Sequence, residues 1–71
     1  MNSAQFFKSI RRLGRKRGIH VSLDQKRGKG SHAKLVFGAR ATTLPQRRGD
    51  IGPGLLKAMC RQLGITPDEL K

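Results

Sequence analysis

The sequence has few of the residues on which small proteins often rely for stability or chemistry. It contains no tryptophan, no tyrosine, one cysteine, and four acidic residues against sixteen Lys and Arg. One cysteine excludes an intramolecular disulfide framework, and with only two histidines there is no recognisable zinc motif. No apolar run approaches the roughly 20 residues that cross a bilayer. We therefore expect a protein without a metal ion, a cofactor or a membrane span.

Positive charge is what the sequence has in excess. Its 71 residues carry a formal net charge of +12, and the mutual repulsion of these charges opposes folding. Such a one-sided charge indicates a polyanionic partner better than it indicates a surface selected only for solubility. The length predicts a single domain over residues 1–71, too small for a deep, enclosed site. The N-terminal segment lacks the apolar core of a signal peptide, so we expect a cytoplasmic location.

Apolar residues at helical spacing predict a first helix over Ser3–Arg17. Ser3 is the expected N-cap, and the helix is expected to end at either Gly14 or Gly18. Its apolar stripe consists of Phe6, Phe7, Ile10 and Leu13, and a second face is cationic through Lys8, Arg11, Arg12 and Arg15.

A second helix is predicted to open at residues 52–54 and to end at Gly64, because Pro is tolerated in a first helical turn and Gly favours a helix end. Thr66 and the residues after it have the composition of a short terminal helix. The apolar stripe of the second helix consists of Leu55, Leu56, Met59, Cys60 and Leu63. Cys60 is expected to be a small buried apolar residue rather than a nucleophile.

The middle of the chain alternates between apolar and polar residues, which predicts strands. The expected strands cover residues 19–25, 31–37 and 41–44, with a basic, glycine-containing loop at 26–30 and a turn at 38–40. Pro45 should end the third strand, since proline cannot donate to a sheet ladder. The order is helix, three strands, helix, which indicates an α+β fold with a small antiparallel sheet and two helices on one face.

A three-stranded sheet of this size leaves its other face open to solvent. If Ala33, Leu35 and Phe37 face the helices, His32 and Lys34 face solvent. The same alternation turns His20, Ser22 and Asp24 outward. The expected open face therefore carries two imidazoles and a lysine, beside a basic loop.

This combination of side chains is suited to cleaving RNA, because the 2′-hydroxyl can attack its own phosphodiester once a base removes its proton. Histidine, with an ordinary pKa of about 6.5, serves as base or acid near neutral pH. Lys and Arg stabilise the phosphorane, and backbone N–H groups of residues 29–31 can approach a phosphate. Most exposed histidines on strands have no catalytic role, so the pattern alone makes His32 a candidate and His20 a weaker one.

The run Arg-Gly-Lys-Gly-Ser-His at residues 27–32 resembles the Gly-Ser-His motif of the HicA family of toxins. As in that family, the motif is followed by a short strand, a turn and a third strand. Residues 51–65 resemble the family's closing helix, and the N-terminal helix also fits. The resemblance covers nearly the whole chain.

The resemblance implies a fold similar to the double-stranded-RNA-binding domain, and a metal-independent ribonuclease that cleaves mRNA and arrests growth. It makes His32 the catalytic residue and Gly30 the motif glycine. It also implies a HicB-type antitoxin as partner, which we expect to be acidic where it contacts this chain, while the free chain is expected to be monomeric. The residues expected to hold the RNA are Arg27, Lys29, Gly30, Ser31 and Lys34.

The sequence departs from the family pattern at two positions. Many members have a second His directly after the motif, where this chain has Ala33, and a Pro-His pair where it has Pro45 followed by Gln46. These departures remove possible auxiliary groups, and His20 is the one other imidazole that could assist. The main alternative function is a non-catalytic RNA-binding module; the absence of Trp and Tyr disfavours base stacking as its main mode. A protein that binds DNA or a membrane surface is a weaker alternative.

Overall fold

The computed structural model describes residues 1–24, 32–45 and 49–70. These form α1 (Ser3–Arg17), β1 (Val21–Asp24), β2 (His32–Phe37), β3 (Arg40–Pro45) and α2 (Pro53–Leu63), followed by a 3-10 helix at Pro67–Leu70. The strands form an antiparallel sheet in the order β1-β2-β3. The predicted α+β class and element order are therefore confirmed, whereas the likeness to the double-stranded-RNA-binding domain stays a prediction.

The prediction of Ser3 as the N-cap of α1 is wrong. Asn2 is the N-cap: its side-chain oxygen accepts from the Gln5 N–H at 2.8 Å, and the Gln5 side chain accepts from the Asn2 N–H at 2.9 Å. This reciprocal pair satisfies two donors at the helix start. Ser3 is instead the first helical residue and is buried, and its hydroxyl donates to the Pro45 carbonyl.

The end of α1, which the sequence left open, lies at Gly18. Gly18 has a positive φ of 69°, and the helix runs through Gly14 without interruption. Gly14 is required for a different reason: a Cβ there would lie 2.5 Å from Cγ2 of Val21 and 2.8 Å from the carbonyl oxygen of Ile19. The helix therefore passes so close to the start of β1 that a larger residue does not fit.

The strand boundaries differ from the prediction at several ends. β1 begins at Val21 rather than at residue 19, because the Ile19 N–H donates back to the Gly14 carbonyl. β3 is longer than predicted, since Arg40 pairs with Phe37 across a two-residue turn and Pro45 is the last residue of the strand. Gly38 provides the positive φ of 63° in that turn, which the glycine can adopt without strain.

The core lies between one face of the sheet and the two helices. α1 packs on β1 and β2, while α2 packs mainly on β3. Leu55 was predicted to face this core, but 38% of it is exposed, because the helix turns Leu56 and Met59 inward instead. The largest fully buried side chains are those of Phe6, Ile10, Leu35, Leu44, Met59, Leu63 and Cys60.

Further polar contacts fasten the helices to the rest of the fold. The buried hydroxyl of Thr42, on the inner face of β3, donates to the side-chain carbonyl of Gln62 in α2. At the end of α1, Nη2 of Arg17 donates to Oε1 of Glu69 at 2.6 Å. That hydrogen bond, helped by the Thr66 N–H, lowers the pKa of the Glu69 carboxyl. Within the described residues, no helix is long and apolar enough to cross a membrane.

Candidate functional site

The open face of the sheet places His32 and Lys34 side by side in solvent. Along β2, His32 and Lys34 are exposed while Ala33 and Leu35 are buried. The two exposed residues are separated by one position, so their side chains leave the same face of the strand about 7 Å apart at the backbone. The predicted orientation of this strand is confirmed.

The register adds two further residues to this part of the face. Lys34 pairs with Asp24 on β1 and with Thr43 on β3, so the three side chains form a row across the sheet. Asp24 is half-buried and Thr43 is exposed. The alternation along β1 predicts an outward-facing Asp24, whereas Thr43 was not predicted. The two-residue turn at Gly38 contained the signal, since it fixes the pairing of Phe37 with Arg40 and hence of Lys34 with Thr43.

His32 lies at the end of the face, one row beyond Lys34. It is the first residue of β2 and pairs with Pro45, the last residue of β3. The carbonyl of Pro45 accepts the hydroxyl hydrogen bond from Ser3 at the start of α1. Asn2, the preceding residue, forms a bridge with Asp50. The start of α1 therefore holds the strand end against which His32 lies.

The structure does not bring His20 to His32. The carbonyl oxygen of His20 accepts the Gly38 N–H at 2.8 Å, which places His20 beside the turn between β2 and β3. Gly38 lies six residues from His32 along the direction of β2, which is a separation of roughly 20 Å. Both imidazoles are exposed, but they lie at opposite ends of the open face and cannot contact the same phosphate.

Most of the predicted phosphate-binding residues lie outside the described residues. These are Arg27, Lys29, Gly30 and Ser31, whereas Lys34 is described and stands beside His32. The chain leaves β1 at Asp24 and re-enters the sheet at His32. Among the described residues, Lys34 is therefore the predicted phosphate-binding cation that lies next to His32.

A second cationic surface lies on the outer face of α1. It lines a shallow groove and is named here the α1 cation row: Lys8, Arg11, Arg12 and Arg15. All four side chains are exposed, whereas the core-facing stripe of the same helix is buried. Since α1 covers the inner face of the sheet, the row points away from His32.

The remaining reactive side chain, Cys60, belongs to the core. It is fully buried in α2, and burial raises the pKa of its thiol, with a smaller contribution from the nearby Glu69 carboxylate. A thiol that is buried and protonated is a poor nucleophile, which agrees with the prediction that Cys60 is a packing residue. Over residues 1–24, 32–45 and 49–70, no three His, Cys, Asp or Glu side chains are grouped so that they could hold a metal ion.

Comparison with known proteins assigns the chain to a family. Residues 8–65 match the family model described as HicA toxin of bacterial toxin-antitoxin. The match includes His20, His32, Lys34 and the α1 cation row, and it covers well over half of the chain. No curated protein and no solved structure matches the sequence.

Proposed function

We propose that this chain, which belongs to the HicA family of bacterial toxins, is an endoribonuclease that cleaves mRNA with His32 as its catalytic residue. Membership of the family makes it a toxin of a toxin–antitoxin system. The observation that carries the proposal further is the position of His32, which is exposed at a strand end with Lys34 beside it on the open face. An extended RNA strand can reach such a site without entering a cavity.

The chemistry requires one proton-transfer group and one cation. The 2′-hydroxyl oxygen forms a bond to the adjacent phosphorus, and the bond from that phosphorus to the 5′-oxygen of the next nucleotide breaks. His32 either takes the proton of the 2′-hydroxyl while water protonates the leaving 5′-oxygen, or gives a proton to the 5′-oxygen while water accepts the proton of the 2′-hydroxyl. Lys34 donates to the phosphate oxygens, whose charge increases in the phosphorane. None of these steps calls for a metal ion.

The basic segment before His32 completes the proposed site on the strength of its sequence. Arg27 and Lys29 would neutralise flanking phosphates, and Gly30 and Ser31 would let backbone N–H groups approach the phosphate at the scissile bond. His20 is too far along the sheet to share that phosphate. Any auxiliary role of His20 would act on a different part of the RNA.

The partner that silences this toxin is proposed to be a HicB-type antitoxin. A free chain of net charge +12 binds most favourably to a surface of opposite sign. To block cleavage, that acidic surface has to cover the open face at His32 and Lys34. Both proteins would act in the cytoplasm, where mRNA is present, and the free toxin would be a monomer.

The test is cleavage of a labelled mRNA fragment in EDTA by three chains: wild type, His32→Ala and His20→Ala. We expect His32→Ala to lose about 100-fold or more in rate, the lower end of the range for a general acid or base. His20→Ala is the matched control, because it removes an exposed imidazole from the other end of the same face, and it should stay within a few-fold of wild type.

RNA binding measured on the same three chains separates chemistry from affinity. The affinity of His32→Ala should change far less than its cleavage rate. Cleavage by His32→Ala at the wild-type rate would refute the assignment of His32. RNA left intact by the wild-type chain would indicate the non-catalytic RNA-binding module instead.

A further inference from the structure

The α1 cation row has a charge that the fold itself does not need. Its members lie three or four residues apart along the helix, so they stand above one another on one helix face. Like charges at these spacings destabilise a helix, and α1 contains no Asp or Glu to offset them. The row therefore lowers the stability of the isolated chain, which is a reason to look for a ligand that compensates.

Local structure does not account for the row. The helix dipole favours cations in the last turn of a helix, and this explains Arg15, Lys16 and Arg17. Lys8 and Arg11 lie too early in the helix to benefit. The ion pair that ties α1 to the 3-10 helix uses Arg17 and Glu69, neither of which belongs to the row.

The surroundings of the row favour a nucleic acid over a protein or a membrane. A protein interface normally has an apolar, aromatic centre from which charges are depleted, whereas nucleic-acid interfaces are polar and strongly basic. The one aromatic ring here, that of Phe7, is half-buried and lies beneath the Arg11 guanidinium, 5.7 Å from its carbon to the ring centroid. Among the described residues, this face of α1 thus offers no large exposed apolar side chain to a partner protein or to lipid.

Three of the four members of the row are arginines, whose planar guanidinium groups form paired hydrogen bonds with phosphate oxygens. The row extends over eight residues of helix, or about 10 Å from the first to the last, which is long enough for more than one phosphate of a strand. It also lies on the side of the molecule away from the open sheet face. A ligand bound to it would leave the approach to His32 free.

We propose that the α1 cation row is a second RNA-binding surface, which holds the phosphate backbone of the substrate irrespective of base sequence. The inference rests on the proposed function only in taking RNA as the substrate. The row contributes affinity and takes no part in bond cleavage. RNA is therefore held on two sides of this small domain, at the sheet face by the cleavage site and at α1 by the row.

The test is the salt dependence of binding, measured with a single-stranded RNA oligomer and the His32→Ala chain so that the RNA stays intact. In that chain, Lys8→Gln and Arg12→Gln are introduced together. The matched control has Lys57→Gln and Arg61→Gln, which removes the same two residue types at the same spacing from the exposed face of α2. Both pairs lower the net charge by two, so unspecific effects of charge cancel.

We expect the plot of log affinity against log salt to become shallower by about 1.4 for the α1 pair, since each lost phosphate contact on a single strand contributes about 0.7. The control pair should change the slope by less than half as much. Equal slopes for the two pairs would overturn the proposal. The proposal would also be overturned if the chain with Lys8→Gln and Arg12→Gln bound RNA normally but lost binding to anionic vesicles or to an acidic partner protein.

Circular dichroism of both double variants shows whether they are folded. We expect both to be folded, since removing like charges from α1 should stabilise the helix. The readout is separate from that of the proposed function. Cleavage by His32→Ala would refute the catalytic assignment. The salt-dependence slopes could still be measured in that case, provided that binding is recorded before cleavage proceeds. Equal slopes would refute the second surface and leave the cleavage assay untouched.

Discussion

The open face of the sheet and the outer face of α1 differ in the kinds of side chain that they carry. The sheet face mixes an imidazole, a lysine, a carboxylate and a hydroxyl within two rows, through His32, Lys34, Asp24 and Thr43. The α1 face repeats one property, positive charge, four times. A mixed set can move protons and stabilise a changing charge, whereas a uniform set can only hold charge that is already there. The proposed cleavage site and the proposed RNA-binding surface therefore differ in the chemistry that their side chains can perform.

The largest effect is expected on the cleavage rate when one lysine is removed from the sheet face. Lys34→Gln is expected to lower the cleavage rate about 100-fold, the lower end of what loss of one transition-state donor costs. Lys57→Gln, an exposed lysine on α2 that belongs to neither face, is the control and should remain within about two-fold of wild type. Single-turnover cleavage at saturating protein is the measurement, because it isolates the chemical step. Equal losses in both variants would mean that Lys34 contributes only net charge.

A smaller difference is expected in antitoxin binding. An acidic antitoxin that covers the open face contacts Lys34 and leaves α1 exposed. Lys34→Gln should therefore weaken the complex about five-fold, which corresponds to about 1 kcal/mol for an exposed ion pair. The Lys8→Gln and Arg12→Gln pair should bind the antitoxin nearly as well as wild type.

Calorimetric titration at several salt concentrations measures both affinities. The complex should weaken sharply as salt rises if charges at the rim dominate. A complex that is insensitive to salt would point to an apolar interface, and an antitoxin whose affinity depends more on the α1 pair than on Lys34 would reverse the assignment of the two faces.

The smallest effect is expected where α1 is fastened to the 3-10 helix. The hydrogen bond from Arg17 lowers the pKa of Glu69 in the folded chain. A carboxyl with a lowered folded pKa contributes stability above its ordinary value, here 4.5, and loses that contribution as pH falls through the folded pKa. Wild type should thus be slightly more stable than Glu69→Gln at neutral pH and should lose that advantage in acid. Thermal unfolding followed at neutral and acid pH tests this, and a constant difference between the chains would contradict it.

The elements that sequence reasoning placed correctly are those set by local rules. Period-two alternation along β2 was sufficient to assign His32 and Lys34 to the open face, because successive side chains of a strand point to opposite sides. Gly52 and Gly64 bounded α2 because a proline start and a glycine end follow from backbone sterics. One error arose where two local signals competed. At the start of α1, Ser3 and Asn2 are both good caps, and only the reciprocal bond between Asn2 and Gln5 decides between them.

The sequence by itself determined the charge, the fold class, the facing of β2 and the candidate His32, because each depends on composition or on spacing along one element. Tertiary structure alone decided which residues meet across elements. It made Gly14 an interior residue of α1, at a point where β1 passes too close for a side chain. It turned Leu55 to solvent and placed Thr43 beside Lys34. It also separated His20 from His32, because the register of an antiparallel sheet fixes distances that no pattern within a single strand contains.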